Sequence, residues 1–133
     1  MAKLLIVAAG ALIDGDGRVL IARRPAGKEL AGLWEFPGGK LKEGETPEGA
    51  LVRELNEELG IDVEASCLAP IAFSSVNSAD FHLLMPLFAC RKWKGVARPI
   101  EAEALAWVKP ADFHRYEMPP ADRPLAAQLR DLL

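Results

Sequence analysis

Residues 39–61 read GKLKEGETPEGALVRELNEELGI, and this stretch carries the strongest structural signal in the chain. Thr46 is a good helix N-cap, and Pro47 suits the first helical position because the N–H that proline lacks would have no partner there. Gly60 can adopt the left-handed conformation that commonly ends a helix. The sequence therefore predicts a helix from about residue 47 to residue 59.

One face of this helix is apolar and the other is acidic. The apolar residues recur at helical spacing and should pack on a core: Leu51, Val52, Leu55 and Leu59. On the other face Glu54, Glu57 and Glu58 are neighbours, and like charges at this spacing repel. A hard divalent cation such as Mg²⁺ reverses the repulsion because it binds carboxylate oxygens. The cluster indicates either a metal site or an ordinary solvated acidic face.

The composition suits one globular domain over residues 1–133, since half of these residues are apolar. A net charge of −3 offers no basic face for a nucleic-acid polymer. The charge of a small anionic ligand such as a nucleotide would have to be neutralised at its binding site, by a metal ion and a few basic side chains. Cys67 and Cys90 lack zinc-binding spacing and are expected as free thiols in a reducing, cytoplasmic compartment.

The apolar run after Lys3 is too short to cross a membrane and leads directly into the turn at residues 14–17. We interpret it as a buried strand, over residues 3–13, and expect no membrane association. Further strands are predicted at 18–23, 34–36, 67–77, 80–93 and 104–109, and a last helix at 122–132. The first two strands should pair as an antiparallel hairpin. This succession predicts an α+β domain, built as an α/β/α sandwich.

The opening stretch resembles the Nudix box, G-x5-E-x7-R-E-U-x-E-E-x-G-U, where U is a bulky aliphatic residue. Every fixed position matches: Gly39, Glu45, Arg53, Glu54, Leu55, Glu57, Glu58, Gly60 and Ile61. The preceding WEFPGG and the later MPPADRP are similar to the MutT branch of the Nudix hydrolases, so the resemblance covers nearly the whole chain. It implies a mixed sheet between helices, and hydrolysis of a nucleoside diphosphate linked to another group with Mg²⁺ or Mn²⁺ as cofactor.

The resemblance also implies the metal ligands. Glu57 and Glu58 are expected as ligands, with a backbone carbonyl from Gly38. Glu54 is expected either as a ligand or as the base that activates the attacking water.

Two residues of the box are expected to support these ligands. Arg53, supported by Glu45, can pair with the carboxylates and orient them. We therefore include Arg53 among the expected catalytic residues. A plain salt bridge from Arg53 to Glu57 is the alternative. The MutT branch has one more metal-binding carboxylate in a loop before a strand, which Glu101 matches, with Glu103 as the alternative.

The implied nucleotide contacts lie outside the box. Arg24 matches a phosphate contact, which suits the bidentate guanidinium, although Arg24 and Arg23 could both be surface residues. The residues that border the nucleotide in the family match Glu35, Phe36, Pro37 and Gly38. For Phe36 and Trp34, packing in the core is an equal expectation.

Asp122 departs from the MutT pattern, in which the matching residue is usually Asn. An ionised Asp only accepts hydrogen bonds, whereas Asn also donates them. Asp122 could accept from guanine or from the cytosine amine, and cytidine triphosphate pyrophosphohydrolases are similar at this stretch. Asp122 could also be the N-cap of the last helix, in place of the base contact or together with it.

The resemblance thus predicts a nucleoside triphosphate pyrophosphohydrolase, monomeric or homodimeric. It would convert nucleotides such as 8-oxo-dGTP to the monophosphate and pyrophosphate, in nucleotide-pool sanitation. The alternatives are a pyrophosphohydrolase of CTP or modified dCTP, a hydrolase of another nucleoside diphosphate derivative, and a non-catalytic nucleotide-binding module.

Overall fold

Seven strands and two α-helices form in residues 3–133, the part of the chain that the computed structural model describes. The strands are β1 (Lys3–Leu12), β2 (Val19–Arg23), β3 (Trp34–Glu35), β4 (Gly38–Lys40), β5 (Ala69–Asn77), β6 (Phe81–Cys90) and β7 (Ala104–Val108). The helices are α1 (Pro47–Leu59) and α2 (Asp122–Leu132). Short 3-10 turns cover Ala65–Cys67 and Pro110–Arg115. No helix within these residues is both long and apolar enough to cross a bilayer.

The strands form two sheets. One has the order β4-β1-β6-β5, with β1 and β6 parallel and the other pairs antiparallel. The second has the order β3-β2-β7 and is antiparallel. The predicted hairpin of β1 with β2 is wrong, because the two strands share only an isolated bridge between Ile13 and Val19. Both edges of β1 are taken by β4 and β6, so the chain diverges after the turn and β2 pairs elsewhere.

Each face of the sheets carries its own core, which confirms the predicted α/β/α sandwich. Along β1, Ala8 and Leu12 point to the α1 side, while Ala9 and Ala11 point to the α2 side. This alternation follows from the two-residue period of a strand. The α1 core includes Leu51, Leu55 and Leu59, and the α2 core includes Leu125 and Leu129. Each fully buried leucine stabilises the fold by roughly 2 kcal/mol.

Helix α1 has the predicted ends. The Thr46 side chain accepts a hydrogen bond from the Gly49 N–H at 3.0 Å. Gly60 ends the helix at φ 72°, and its N–H donates to the Asn56 carbonyl. Its leucines hold one face of α1 on the sheet and thereby fix where the acidic face lies.

Strand β4 was not predicted, since the chain was expected to leave its strand at Pro37. Instead it leaves the three-stranded sheet after Glu35 and joins the four-stranded sheet at Gly38, opposite Ala9. A side chain at Gly38 would overlap the Ala8 carbonyl, so only glycine permits this approach. Residues 35–39 thus cross between the two sheets, where the candidate site lies.

Candidate active site

The acidic face of α1 lies against β4 rather than in open solvent. The Gly38 N–H donates to the Glu58 carboxylate at 3.2 Å. A Cβ atom at Gly39 would collide with the Glu54 carboxyl group, so the bare glycine makes room for that carboxylate. Glu57 lies further out, with 46% of its side chain exposed. The glycines thus let Glu54 and Glu58 pack at the crossing between the sheets.

Arg53 ties several of the carboxylates together. Its guanidinium donates to both Glu45 oxygens, at 2.8 and 2.9 Å, and to Glu54 at 2.8 Å. It also donates to Glu57 at 3.3 Å, so the contacts expected of a supporting residue and the i,i+4 salt bridge occur together. The Arg53 hydrogen bonds, with one from the Lys42 N–H, lower the pKa of Glu45 to about 2.

Glu58 lies where several acids meet. Burial, and then the neighbouring Glu54, Glu35 and Glu101, raise the pKa of Glu58 to about 8, against the lowering effect of the Gly38 N–H. Carboxylates that lie close together and are partly shielded from water are destabilising unless a positive charge is nearby. Their oxygens are the donors that Mg²⁺ or Mn²⁺ prefers, so the residues present fit such an ion.

Glu101 reaches this place because its loop is bonded to the end of α1. The Ile100 N–H donates to the Glu58 carbonyl at 3.1 Å, and the Arg98 N–H donates to the Leu59 carbonyl at 2.9 Å. Glu101 consequently lines a small polar pocket of about 100 Å³ beside Glu58.

The alternative residue, Glu103, is directed elsewhere. Its carboxylate lies 3.6 Å from the Arg23 guanidinium, at the end of β2. The geometry therefore favours Glu101 over Glu103 as the additional carboxylate of the site. Arg23 is half-exposed and paired with Glu103, as expected of a surface residue.

The acidic side chains do not form a ready-made cage. Within residues 3–133, no three carboxylate, histidine or cysteine side chains converge tightly enough to enclose a metal ion. Arg53 holds Glu54 and Glu57 through its own hydrogen bonds, and Glu58 is turned to the Gly38 N–H. Arginine thus supplies the counter-charge for two of these carboxylates in this arrangement.

Arg24 is fixed by a second ion pair. Its guanidinium donates to both oxygens of Glu35, at 3.0 and 3.1 Å, and to the Glu29 carbonyl at 2.7 Å. Burial raises the pKa of Glu35, although Arg24 opposes that rise. Both side chains, with Glu58, border the small polar pocket and a larger cleft.

The larger cleft has a volume of about 550 Å³, and both Glu58 and Asp122 line it. Its walls include apolar side chains from the four-stranded sheet: Leu5, Val7, Val76, Phe81, Leu83 and Met85. The sequence interpretation missed these residues because their alternation indicates a buried strand face but not which ligand that face meets. Phe36 also borders the cleft, and its ring packs edge-on against Phe113 with centroids 5.7 Å apart. Trp34 packs on Tyr116 instead, with ring centroids 5.3 Å apart.

Asp122 lines the same cleft and is only 3% exposed. Its carboxylate accepts a hydrogen bond from the Phe36 N–H at 3.0 Å. Burial is the main cause that raises the pKa of Asp122 to about 7, and Glu35 adds to it. The expected N-cap role is wrong: Ala121 is the N-cap of α2, no side chain caps that end of the helix, and the Asp122 carboxylate accepts from the N–H of Phe36, the residue after β3.

An acidic helix packed on a glycine-containing strand, with arginines and a cleft beside it, is the arrangement that the resemblance predicted for a hydrolase of phosphoric anhydrides. The chain belongs to the Nudix family, since the family model described as NUDIX domain matches residues 8–128. An 8-oxo-dGTP diphosphatase of Proteus vulgaris is 45% identical over 93 residues, which are 69% of this chain and 80% of the relative. A CTP pyrophosphohydrolase of Escherichia coli strain K12 is 38% identical over 121 residues, 91% of this chain and 88% of the relative. The solution structure of the E. coli ORF135 protein superposes with a TM-score of 0.86 at 35% identity, covering 98% of this chain and 91% of that one.

Proposed function

We propose that the protein hydrolyses nucleoside triphosphates to the monophosphate and pyrophosphate with a divalent metal ion. Water forms the new bond to phosphorus, the bond to the bridging oxygen breaks, and pyrophosphate leaves. The observation that carries this proposal is the crowding of Glu54, Glu35 and Glu101 around Glu58, at one end of a cleft large enough for a nucleoside. With this activity the protein would remove damaged nucleotides from the pool of DNA precursors.

The proposed metal ligands are Glu57 and Glu58, with Glu54, Glu101 and the Gly38 carbonyl. A bound Mg²⁺ or Mn²⁺ ion would neutralise phosphate oxygens and lower the pKa of a bound water. The protein's own contribution is to hold the carboxylates in place against β4. We assign Glu54 as ligand or base.

Arg53 and Arg24 act differently in this proposal. Arg53 orients the carboxylates through its bonds to Glu45 and Glu54. Arg24 offers a planar guanidinium at the border of both pockets and would bind phosphate bidentately, in exchange for Glu35.

The base would lie between the apolar walls of the cleft, with Phe36 and Asp122 at its end. An ionised Asp122 accepts hydrogen bonds, as from the amino groups of guanine or cytosine, and a protonated one also donates. Oxidised guanine nucleotides such as 8-oxo-dGTP are the leading substrate class. Cytosine nucleotides are the second candidate, because Asp122 occupies the position at which MutT-type sequences usually have Asn.

A pyrophosphate-release assay with Mg²⁺ tests the proposal on 8-oxo-dGTP, dGTP, CTP and dCTP. Turnover of at least one is expected, and turnover of none would refute the proposed activity. Glu58→Gln should lower kcat/KM by more than the roughly 10- to 100-fold typical of residues that only support a metal ligand. Glu48→Gln, in the first turn of the same helix, is the matched control, and equal activities of the two variants would contradict the metal assignment.

A further inference from the structure

The segment that carries Asp122 is attached to both sheets. On one side, the Trp34 N–H donates to the Glu117 carbonyl at 2.7 Å, and the Phe36 N–H donates to Asp122. On the other side, the Ser74 hydroxyl of β5 donates to the Ala121 carbonyl at 2.7 Å. Asp122 is therefore held between the strand that crosses the sheets and the edge strand β5.

Ser74 stands out by its burial. Its exposure is 3%, and among residues 3–133 only Ser74 and Asp122 are buried residues of polar or charged type. These two buried polar residues are joined through one peptide unit, since Ser74 holds the carbonyl of Ala121 and Asp122 follows it. A buried hydroxyl is unfavourable without a hydrogen bond, so this contact fixes both groups.

We propose that Ser74 is a positioning residue for nucleotide recognition, whose hydroxyl holds the Ala121 carbonyl and thereby places the Asp122 carboxylate in the cleft. The inference rests on the proposed function, in which Asp122 contacts the base. Ser74 lies beside Val76 on the same face of β5, and Val76 lines the cleft. Strand β5 thus contributes Val76 to the wall of the cleft and also, through Ser74, holds the segment that carries Asp122.

Loss of the hydroxyl releases the Ala121 carbonyl without enlarging the core much. In Ser74→Ala, the residue before α2 loses its hydrogen bond to β5, and Asp122 can shift relative to the base, while Gln128 of α2 still donates to the Phe73 carbonyl of β5. A hydrogen bond from the base to Asp122 weakens when the carboxylate leaves its favourable distance or angle. In the proposed function Asp122 contacts the base, whereas Arg24 and the metal-binding carboxylates contact the phosphates, so the effect should fall on binding rather than on the chemical step.

The test compares Ser74→Ala with Ser75→Ala, the neighbour whose exposed hydroxyl pairs with His82 on the opposite face of the sheet. With 8-oxo-dGTP, dGTP, CTP and dCTP, Ser74→Ala should raise KM for the best of them about three- to tenfold, the worth of one hydrogen bond, with kcat nearly unchanged. The differences in kcat/KM among the four nucleotides should become smaller. Ser75→Ala should match the wild type, and Ser74→Thr, which keeps the hydroxyl, should restore the preference.

A double variant shows whether Ser74 acts through Asp122. Once Asp122→Ala has removed the carboxylate, adding Ser74→Ala should leave KM and the preference where Asp122→Ala alone puts them. If the two effects on KM add in full, or if Ser74→Ala alone leaves KM and preference unchanged, the inference is overturned.

Hydrogen exchange of the Phe36 N–H gives a readout independent of activity. This amide is bonded to Asp122, so its exchange should quicken in Ser74→Ala and stay unchanged in Ser75→Ala. An enzyme that turns over none of the four nucleotides but shows this exchange pattern would refute the proposed activity while the structural link from Ser74 to Asp122 stands. Unchanged exchange would refute the link itself.

Discussion

Replacing Asp122 by Asn should make stability less dependent on pH. The wild-type carboxyl group is buried with the Phe36 N–H as its hydrogen-bond donor, and its pKa is raised from the ordinary aspartate value of 3.8 to about 7. The folded protein therefore keeps a proton that the unfolded chain releases above about pH 4. The stability contributed by this group is fully present below about pH 4 and is lost as the pH rises to about 7.

The magnitude follows from the difference between those two pKa values. One pKa unit corresponds to 1.36 kcal/mol, so the whole loss is about 4 kcal/mol, of which about 3 kcal/mol falls between about pH 5 and pH 8.5. Asparagine keeps a carbonyl oxygen for the Phe36 N–H and carries no charge. Any cost of burying its amide N–H₂ group is the same at every pH and does not affect this slope.

Urea unfolding of the wild type and Asp122→Asn, from about pH 5 to pH 8.5 with a chelator present, measures the effect. The stability difference should move in favour of the variant by about 3 kcal/mol across this range. Asp131→Asn, on the same helix but exposed, is the control and should show no such trend. A stability difference that is flat with pH would refute the account of Asp122 as a buried, proton-binding group.

Three other perturbations test the acidic end of the cleft. Glu101→Gln should lower kcat/KM and raise the Mg²⁺ concentration needed for half-maximal rate, whereas Glu103→Gln should change neither. Gly39→Ala should reduce activity strongly, because its Cβ would enter the space of a carboxyl group of the site; Gly15→Ala, with open space around it, is the control in the same assay. Arg53→Lys should weaken Mg²⁺ activation by about 10- to 100-fold, because an ammonium group cannot replace the fork that holds several carboxylates, and wild-type activation would contradict its orienting role.

Short-range signals explain what could be predicted from the sequence. The ends of α1 depend on Thr46, Pro47 and Gly60, each of which acts on backbone groups within one turn. The two-core sandwich follows from the alternation along the strands and from the leucines of both helices. The family could be predicted from the Nudix box, because all its fixed positions lie within one turn and one helix.

Long-range contacts explain what could not be predicted. The hairpin of β1 with β2 was expected because the turn between them is strong, yet β4 and β6 occupy the edges of β1. Asp122 was expected as a possible N-cap because that role is local, while its actual partner, Phe36, lies 86 residues away. The role of Ser74 could not be predicted, since a serine in a strand gives no local indication that it will be buried or bonded to a distant segment.

The Arg24–Glu35 pair lies close enough to act electrostatically on carboxylates of both the proposed metal site and the proposed base site. Glu35 raises the pKa of both Glu58 and Asp122, and Arg24 lowers that of Asp122. A substrate phosphate that drew Arg24 away would leave Glu35 without its counter-charge and remove the direct influence of Arg24 on Asp122. Both changes favour the protonated form of Asp122, while a cation beside Glu58 would offset the charge of Glu35 and favour the ionised form. In the proposed complex, the hydrogen bonds that Asp122 could offer to a base would therefore depend on whether a phosphate binds Arg24 and a cation binds Glu58.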